Sequence, residues 1–364
     1  MAPLGRFVPF IKRLFSFTPK VRSLDGLHGL EKADALFHNL VAENKVPGLA
    51  ITIMAKGKVL WQKGYGQADL ERKKPVDPRQ TVFRIASISK CITGLALGKM
   101  MEEGLVELDT SFHRYVPYYP KKDHDFTLRQ LASHTAGIRG YRGKEFALNQ
   151  GFSIKDSIGI FQHDPLVFEP GKGYLYNSFD FVLLSLAMQE ASGVPFQKYV
   201  REKVLIPLGM QSTFSPQEMD VGSSVIGSTA QFYTKSSLCF KKSMEVDNAY
   251  KLAGGGFLST SNDIAQMGQA ILEGKLLKKG TYEQILTTQM VNGKPTYYGL
   301  GFQVSRDANG REFVGHVGNS VGAYTNFFVY PKEEKVISIL INCTDPKVQE
   351  QLDMAISSIV GDRT

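Results

Sequence analysis

The sequence predicts an α/β protein in which both ends of the chain contribute strands to one antiparallel sheet. Helices flank this sheet, and a mainly helical lobe is inserted between its two halves. Two observations support this fold class: strand-like segments lie near both termini, and helical periodicity dominates between them. A chain of 364 residues is long enough for two lobes with a deep cleft between them. The predicted parts are a basic N-terminal arm (1–24), a sheet domain (25–87 with 286–364) and an inserted helical domain (88–285).

The composition is that of an ordinary globular protein, with 43% hydrophobic and 21% charged residues. The formal net charge is +8, but it is unevenly distributed: the segment before Asp25 carries five basic residues and no acidic one. Nucleic-acid binding needs a basic stripe on the folded domain, so this distribution argues against it. No apolar run reaches the roughly 18–20 residues that span a bilayer.

The sequence predicts neither a metal site nor a cofactor. The three cysteines (Cys91, Cys239 and Cys343) lie far apart, which is neither a disulfide framework nor a CxxC metal site. The seven histidines form no HExxH pair. No nucleotide or flavin motif stands out. The three glycines at 254–256 resemble part of a phosphate-binding loop, but no lysine follows them at the spacing that such a loop needs.

The role and fate of the first 24 residues stay open. Their longest apolar stretch, 7–11, is broken by Pro9, so it does not make a secretory signal. An organelle-targeting segment, an arm that contacts a membrane surface and a disordered tail all fit this composition. A cytoplasmic or organellar location, including the mitochondrion, is most consistent with it.

Hydrophobic periodicity predicts the elements near both ends of the chain. The apolar stripe of a first helix consists of Ala33, Leu36, Phe37, Leu40 and Val41. Four strands are predicted, at 49–54, 59–61, 325–330 and 336–342. A last helix carries Val348, Leu352, Ala355, Ile356 and Ile359 at helical spacing. In the middle, a helix at 179–191 ends at Gly193, a normal C-terminal signature.

Ser87 and Lys90 form the one S-x-x-K motif of the chain. On a helix, positions i and i+3 share a face, so Lys90 lies against the Ser87 hydroxyl. A serine is a weak nucleophile without an adjacent base, and a lysine in a poorly solvated cleft loses its proton near neutral pH. The residues that follow are apolar with small ones interleaved, which predicts a buried central helix.

A second serine motif competes with the first. Residues 318–322, around Ser320, fit the G-x-S-x-G nucleophile elbow, which needs a strand, a turn and then a helix, with a histidine later in the chain. Here the following residues resemble a strand, and no histidine follows His316. We therefore interpret this match as a glycine-rich turn.

The order of these motifs resembles that of the serine β-lactamase-related family, which includes class C β-lactamases, D-alanyl-D-alanine carboxypeptidases and esterases. The resemblance covers about residues 30–345 and has eight landmarks in the family's order. These are VPG at 46–48, FRIASISK at 83–90, LASHTAGI at 131–138, PG at 170–171, PLGM at 207–210, AGGGFLST at 253–260, YGLGF at 298–302 and GHVG at 315–318. The segments at 84–90, 164–171 and 250–260 are similar to those of the family's mitochondrial serine β-lactamase-like members.

The resemblance implies a β-lactamase/transpeptidase-like fold and a role for each matching residue. Ser87 matches the acylated nucleophile, and Lys90 matches the lysine beside it. Tyr176 matches the tyrosine that shares proton transfer with that lysine. His316 matches the third motif, where many members have lysine. The backbone N–H groups of Ser87 and Asn319, beside Gly318, would form the oxyanion hole.

Two departures from the family's pattern bear on the substrate. The usual Tyr-x-Asn is replaced by Tyr176, Asn177 and Ser178, so the asparagine that contacts a substrate amide is displaced, and Asn177 or Ser178 would have to substitute. His316, when neutral, attracts a substrate carboxylate less than a lysine does. His134 matches a position that is structural in the family.

The sequence therefore predicts a serine acyl-hydrolase that forms an acyl-enzyme on Ser87. Its substrate would be a small molecule or peptide with an ester or amide carbonyl. A peptidase or amidase is the leading interpretation, followed by a carboxylesterase on small esters and then a weak β-lactamase. A non-catalytic binding or assembly protein that keeps the fold is the alternative from another class. The oligomeric state stays open.

Overall fold

The computed structural model describes residues 20–219, 228–237 and 239–361. The chain divides into two compact units, one formed by 1–45 with 348–364 and the other by 46–347. Most of the predicted basic arm, residues 1–19, lies outside the described residues. The predicted domain boundaries at 87 and 285 stay a prediction.

The described residues form ten α-helices and fourteen strands, several of them short. The helices are α1 Gly29–Ala42, α2 Ile88–Glu102, α3 Leu128–Ala132, α4 Ile154–Ser157, α5 Phe179–Ser192, α6 Phe196–Val200, α7 Pro216–Met219, α8 Ser261–Leu272, α9 Lys279–Ile285 and α10 Gln349–Gly361. The strands are β1 Gly48–Ala55, β2 Lys58–Asp69, β3 Lys74–Pro75, β4 Phe83–Arg84, β5 Tyr233–Lys235, β6 Phe240–Lys242, β7 Leu258–Ser259, β8 Met290–Val291, β9 Lys294–Pro295, β10 Gln303–Arg306, β11 Glu312–Ser320, β12 Ala323–Tyr330, β13 Lys335–Ile341 and β14 Cys343–Thr344.

Seven strands form the main sheet, in the order β10-β11-β12-β13-β1-β2-β3. The two halves meet where β1 pairs antiparallel with β13, with Leu49 opposite Ile341. Both strands are buried along almost their whole length, which explains why each reads as a continuous apolar run. The predicted sheet from both chain ends is confirmed, and β2 extends beyond the predicted 59–61.

In the first unit, the two terminal helices pack against each other. The predicted stripe of α1 is buried at Ala33, Leu36, Phe37 and Leu40. The predicted apolar positions of α10 are buried as well. Periodicity alone therefore located both helices.

In the second unit, α2 is buried along most of its length and belongs to the apolar core cluster. Its small residues explain how neighbours approach it from several sides. A Cβ at Gly94 would lie 2.4 Å from the Leu300 carbonyl oxygen, and one at Gly98 would lie 2.6 Å from Ile285 Cδ1. The predicted buried helix with close neighbours is confirmed.

The helix α8 packs against β1, β12 and β13 of the main sheet. Its closest approach is at Gly268, where a Cβ would lie 2.4 Å from Val336 Cγ1 and 2.8 Å from Phe327 Cε2. Both neighbours are fully buried, so neither has space to move away. A glycine is therefore required for α8 to reach the sheet.

We expect Gly268→Ala to lower the free energy of unfolding by about 1–3 kcal/mol, because the extra methyl overpacks a closed interface. Gly280→Ala is the matched control, since this helical glycine in α9 has nothing within 4 Å of its Cβ position. That control should leave stability unchanged or raise it by up to about 1 kcal/mol. Urea unfolding curves measure both, and equal midpoints for the two variants would contradict the packing argument.

Candidate active site

Ser87 lies at a sharp connection between β4 and α2. The short strand β4 pairs with β7, with Phe83 opposite Ser259. Ala86 then adopts a left-handed conformation with φ of 47°, which is rare for a residue with a side chain, and α2 begins directly after Ser87. Strain of this kind persists only where the surrounding structure holds it, and here it places Ser87 at the N-terminal end of the buried helix.

Lys90 is completely buried one turn further along α2. Its ammonium nitrogen lies 3.4 Å from Ser87 Oγ and donates to the carbonyl oxygen of Gly254 at 2.7 Å. It also lies over the rings of Tyr176 and Phe181, at 4.7 and 5.3 Å from their centroids. Burial lowers the pKa of Lys90 to about 7, so a large fraction is a neutral amine at physiological pH.

Tyr176 completes this cluster from a different part of the chain. Its hydroxyl donates to Ser87 Oγ at 2.7 Å, while the residue as a whole is 39% exposed. Withdrawal of the hydroxyl from water raises the pKa of Tyr176, so it is a neutral phenol. The structure thus brings three predicted residues together: Ser87 Oγ lies between a phenol that donates to it and an amine that can accept its proton.

His316 lies beside the cluster without a hydrogen bond to it. Its Nδ1 lies 2.6 Å from the Val317 carbonyl oxygen, which can only accept, so Nδ1 carries the proton. Nε2 therefore accepts from the hydroxyl of Tyr298 at 2.9 Å. Burial lowers the pKa of His316 to about 3, and the ring is neutral.

Because both nitrogens of His316 are engaged by Tyr298 and Val317, His316 makes no direct hydrogen bond to Tyr176 in the described structure. The two rings do pack together, with centroids 5.7 Å apart. These contacts fit a role in positioning the Tyr176 ring.

His134 is fully buried behind Tyr176, with ring centroids 4.6 Å apart. Its Nδ1 lies 2.9 Å from a carboxyl oxygen of Asp180, another buried residue. Burial lowers the pKa of His134 and raises that of Asp180. The contacts of His134 therefore fit the structural role that the sequence resemblance implies.

Asn177 does not face the cleft. Its amide nitrogen donates to the Ile138 and Leu175 carbonyl oxygens and to Asp180, and its oxygen accepts the Asp180 N–H. Since an amide nitrogen has two hydrogens, none remains for a substrate. Asn177 is thus not placed to contact a substrate, in contrast to the prediction, whereas Ser178 lines a cavity beside Ser87.

The strand β11 passes directly beside the nucleophile at Gly318. A Cβ at this position would lie 2.3 Å from Thr325 Oγ1 and 3.0 Å from the backbone nitrogen of Ser87. Asn319 follows on the same strand and lines the cavity with Ser87. This approach of two backbone segments is compatible with the predicted oxyanion hole.

Ser320 ends β11, and a turn with Gly322 in a left-handed conformation leads to β12. The order is strand, turn, strand rather than the strand, turn, helix of a nucleophile elbow. The interpretation of this motif as a glycine-rich turn is confirmed.

Sequence reasoning missed Lys251, Tyr141 and Tyr298. Lys251 and Tyr141 line the same cavity as Ser87, and the Tyr298 hydroxyl is hydrogen-bonded to His316 Nε2. The available signal for Lys251 was a single lysine next to an apolar, glycine-rich landmark. Tyr298 begins the landmark at 298–302, but its contact with His316, like the place of Tyr141 in the cavity wall, depends on the packing of distant segments.

Neither a membrane span nor a metal cluster occurs in the part of the chain that the structure describes. None of its helices is both long and apolar enough to cross a bilayer. No group of three or more histidine, cysteine, aspartate and glutamate side chains is arranged to hold a metal ion there.

The antiparallel sheet with a buried Ser-x-x-Lys cluster beside it defines a serine hydrolase of the β-lactamase/transpeptidase-like fold. The family model described as Beta-lactamase matches residues 33–360, and the chain therefore belongs to the Beta-lactamase family.

Individual relatives agree with this assignment. The human mitochondrial serine beta-lactamase-like protein LACTB is 29% identical, over 84% of this chain and 72% of its own length. The D-amino acid amidase of Ochrobactrum anthropi SV3 superposes with a TM-score of 0.78 at 21% identity, covering 91% of this chain and 98% of that one. The hydrolase EstCE1 gives 0.77 at 19% identity, covering 90% and 97%. At these identities the two structures show the fold alone.

We expect Lys90→Met to raise the melting temperature by at least about 2–4 °C at pH 7, because it removes a buried amine that the unfolded chain holds as a solvated ammonium. The folded pKa of Lys90, about 7, lies below the unfolded value of 10.5, so the unfolded state binds more protons between these values. The stability of the wild type therefore rises with pH across this window. The advantage of Lys90→Met should be largest below pH 7 and should shrink towards pH 10.

Lys279→Met is the control for this comparison, since the Lys279 side chain is 92% exposed. It should give no pH-dependent gain in thermal melts. A melting temperature of Lys90→Met that stays below that of wild type at every pH would refute the argument.

Proposed function

We propose that the protein is a serine acyl-hydrolase that cleaves amide or ester carbonyls through an acyl-enzyme on Ser87. The observation that carries this proposal is the position of Ser87 Oγ, 2.7 Å from the Tyr176 hydroxyl and 3.4 Å from the Lys90 nitrogen. A nucleophile held between a donor and a buried amine is the arrangement that activates a serine.

In the first step, Lys90 in its neutral form takes the proton of Ser87, and Oγ forms a bond to the carbonyl carbon. The carbonyl oxygen becomes an oxyanion, which the N–H groups of Ser87 and Asn319 would stabilise. Loss of one such donor typically costs about 10²–10³ in rate. Tyr176 then gives its proton to the leaving group as the carbonyl–heteroatom bond breaks, and the proton on Lys90 replaces it.

In the second step, water attacks the acyl carbon and the cluster removes the proton of that water. Ser87 leaves with a proton, and the carboxylic acid is released. The assignment of Lys90 as base and Tyr176 as donor rests on their opposite pKa shifts, since burial favours the neutral form of both.

Peptidase or amidase activity is the leading candidate. It is supported by the sequence resemblance and by the likeness to a fold that a D-amino acid amidase shares.

A carboxylesterase on small esters is the second candidate. The inward position of Asn177 favours it, because the cleft then lacks the carboxamide that contacts a substrate amide in the family. Weak β-lactamase activity comes third, since neutral His316 offers no charge to a substrate carboxylate. Rates on short peptides, 4-nitrophenyl esters and a chromogenic cephalosporin would rank the three.

We propose a mitochondrial location on the strength of the basic arm and of the mitochondrial relative. The proposed contact of the arm with a membrane surface falls largely on residues outside the described part of the chain.

Covalent labelling tests the nucleophile. A fluorophosphonate probe and a penicillin probe should each modify the peptide that contains Ser87, as read by intact mass and peptide mapping. Ser87→Ala should lose the label and at least about 10³-fold of the hydrolysis of an activated ester, since nucleophile and base act as a unit. The matched variant Ser320→Ala should keep the label. A label on Ser320 would indicate the hydrolase with a nucleophile elbow. The absence of any adduct would indicate the non-catalytic alternative.

The rate should also depend on pH. We expect kcat/KM for a neutral activated ester to rise as pH increases through about 7, because only the unprotonated form of Lys90 accepts the Ser87 proton. Lys90→Arg keeps a cation but cannot deprotonate, so it should be about 10²–10⁴-fold slower at every pH between 6 and 9. A flat profile in the wild type, or an active arginine variant, would exclude Lys90 as the base.

A further inference from the structure

A small cavity of about 90 Å³ opens directly beside Ser87. Its wall includes Tyr141, Ser178, Lys251 and Asn319, while Tyr176 and His316 are not among the described residues that line it. The nucleophile therefore has two distinct sides. One holds the proton donor Tyr176, and the other holds this cavity.

The cavity wall contains a buried cation. Lys251 is only 6% exposed, and its ammonium donates to the Phe146 carbonyl oxygen at 2.7 Å. It lies over the rings of Tyr141 and Tyr250, at 5.4 and 5.6 Å from their centroids. Burial lowers the pKa of Lys251 to about 8, which still leaves it mostly charged at neutral pH.

Within the described ranges, Lys251 forms no ion pair with a carboxylate. Asp247 lies close enough to attract it, but one Asp247 carboxyl oxygen accepts the N–H of Ala249 instead. Burial of a charge is costly without a partner of opposite sign. A carbonyl oxygen and two ring faces compensate only part of that cost, so Lys251 has capacity for an anion.

A second cation, Arg84, adds to the positive charge on this side of Ser87. Arg84 donates to the carbonyl oxygen of Val321, a residue of the same cavity wall, at 2.8 Å, and its guanidinium stacks 4.2 Å from the Phe232 ring centroid. It also forms no ion pair with any described carboxylate. Arg84 is near enough to lower the pKa of Lys251 by repulsion. The same side of Ser87 thus carries two positive groups.

We propose that this cavity is the acyl subsite and that Lys251 makes it specific for a short acyl group bearing a carboxylate. The inference rests on the proposed function. The leaving group must reach Tyr176 to receive its proton, so the acyl portion occupies the opposite side, where the cavity lies. Its volume is small beside the roughly 300–1,000 Å³ of ordinary ligand pockets, which favours a succinyl-sized group over an aromatic one.

Two matched amides test the preference: the 4-nitroanilides of succinate and of 4-methylpentanoate, in which an isopropyl group replaces the carboxylate. In the wild type we expect kcat/KM for the succinyl substrate to exceed that for the neutral one by at least about tenfold, the usual value of a hydrogen bond to a charged group. Lys251→Met should reduce this ratio by about 10–100-fold, and Lys251→Arg, which keeps the cation, should preserve most of it.

Lys122→Met is the control, because Lys122 is another lysine that donates to backbone carbonyls, those of Gln162 and Asp164. It should keep the wild-type ratio. A wild type that prefers the neutral acyl group, or a ratio unchanged in Lys251→Met, would overturn the subsite. Since the first comparison uses only wild-type protein, the inference stays testable if Lys251→Met does not fold.

A binding readout covers the case in which the protein cleaves esters but not anilides. Succinate should slow fluorophosphonate labelling of Ser87 in the wild type, and butanediamide, its neutral analogue, should not. Equal protection by both compounds would refute the anionic preference. If Ser87 is never labelled, the proposed function itself fails. If it is labelled and turns over either acyl group without preference, only the subsite fails.

Discussion

The burial of Lys90 against Ser87 is the interaction on which the rest of the site depends. This completely buried lysine has no carboxylate partner within the described residues, and it is held mainly by one carbonyl oxygen, two ring faces and the serine itself. Removal from water makes the neutral amine accessible near pH 7, which a solvated lysine does not allow. The same burial that lowers stability makes the unprotonated amine, the form that can accept a proton, available near pH 7.

This constraint explains the architecture around α2. The helix must be enclosed on all sides to keep water from Lys90, so its small residues admit Leu300 and Ile285 at close range. Thr93 donates to the Ala253 carbonyl, which ties α2 to the same turn that supplies Gly254 to Lys90. The contacts that pack α2 into the core therefore also hold Lys90 in place beside Ser87.

The charge distribution distinguishes the two sides of the nucleophile. On the side of Tyr176, the third-motif residue His316 is neutral and bonded to Tyr298. On the other side, Lys251 and Arg84 carry positive charge without a carboxylate partner among the described residues. A substrate carboxylate would accordingly meet its cation on the side of the cavity, which is the basis of the acyl preference that we propose.

The sequence alone determined the strands at both ends, the terminal helices, the buried helix after Ser87 and the turn at Ser320, because periodicity, glycine positions and motif order are local properties. Only the tertiary structure decided which way Asn177 faces, where the nitrogens of His316 bind, and that Lys251 lines the cavity beside Ser87. These features depend on hydrogen-bond partners and burial supplied by segments far apart in the chain. A side chain's direction, charge state and neighbours are set by that three-dimensional environment, which no local pattern encodes.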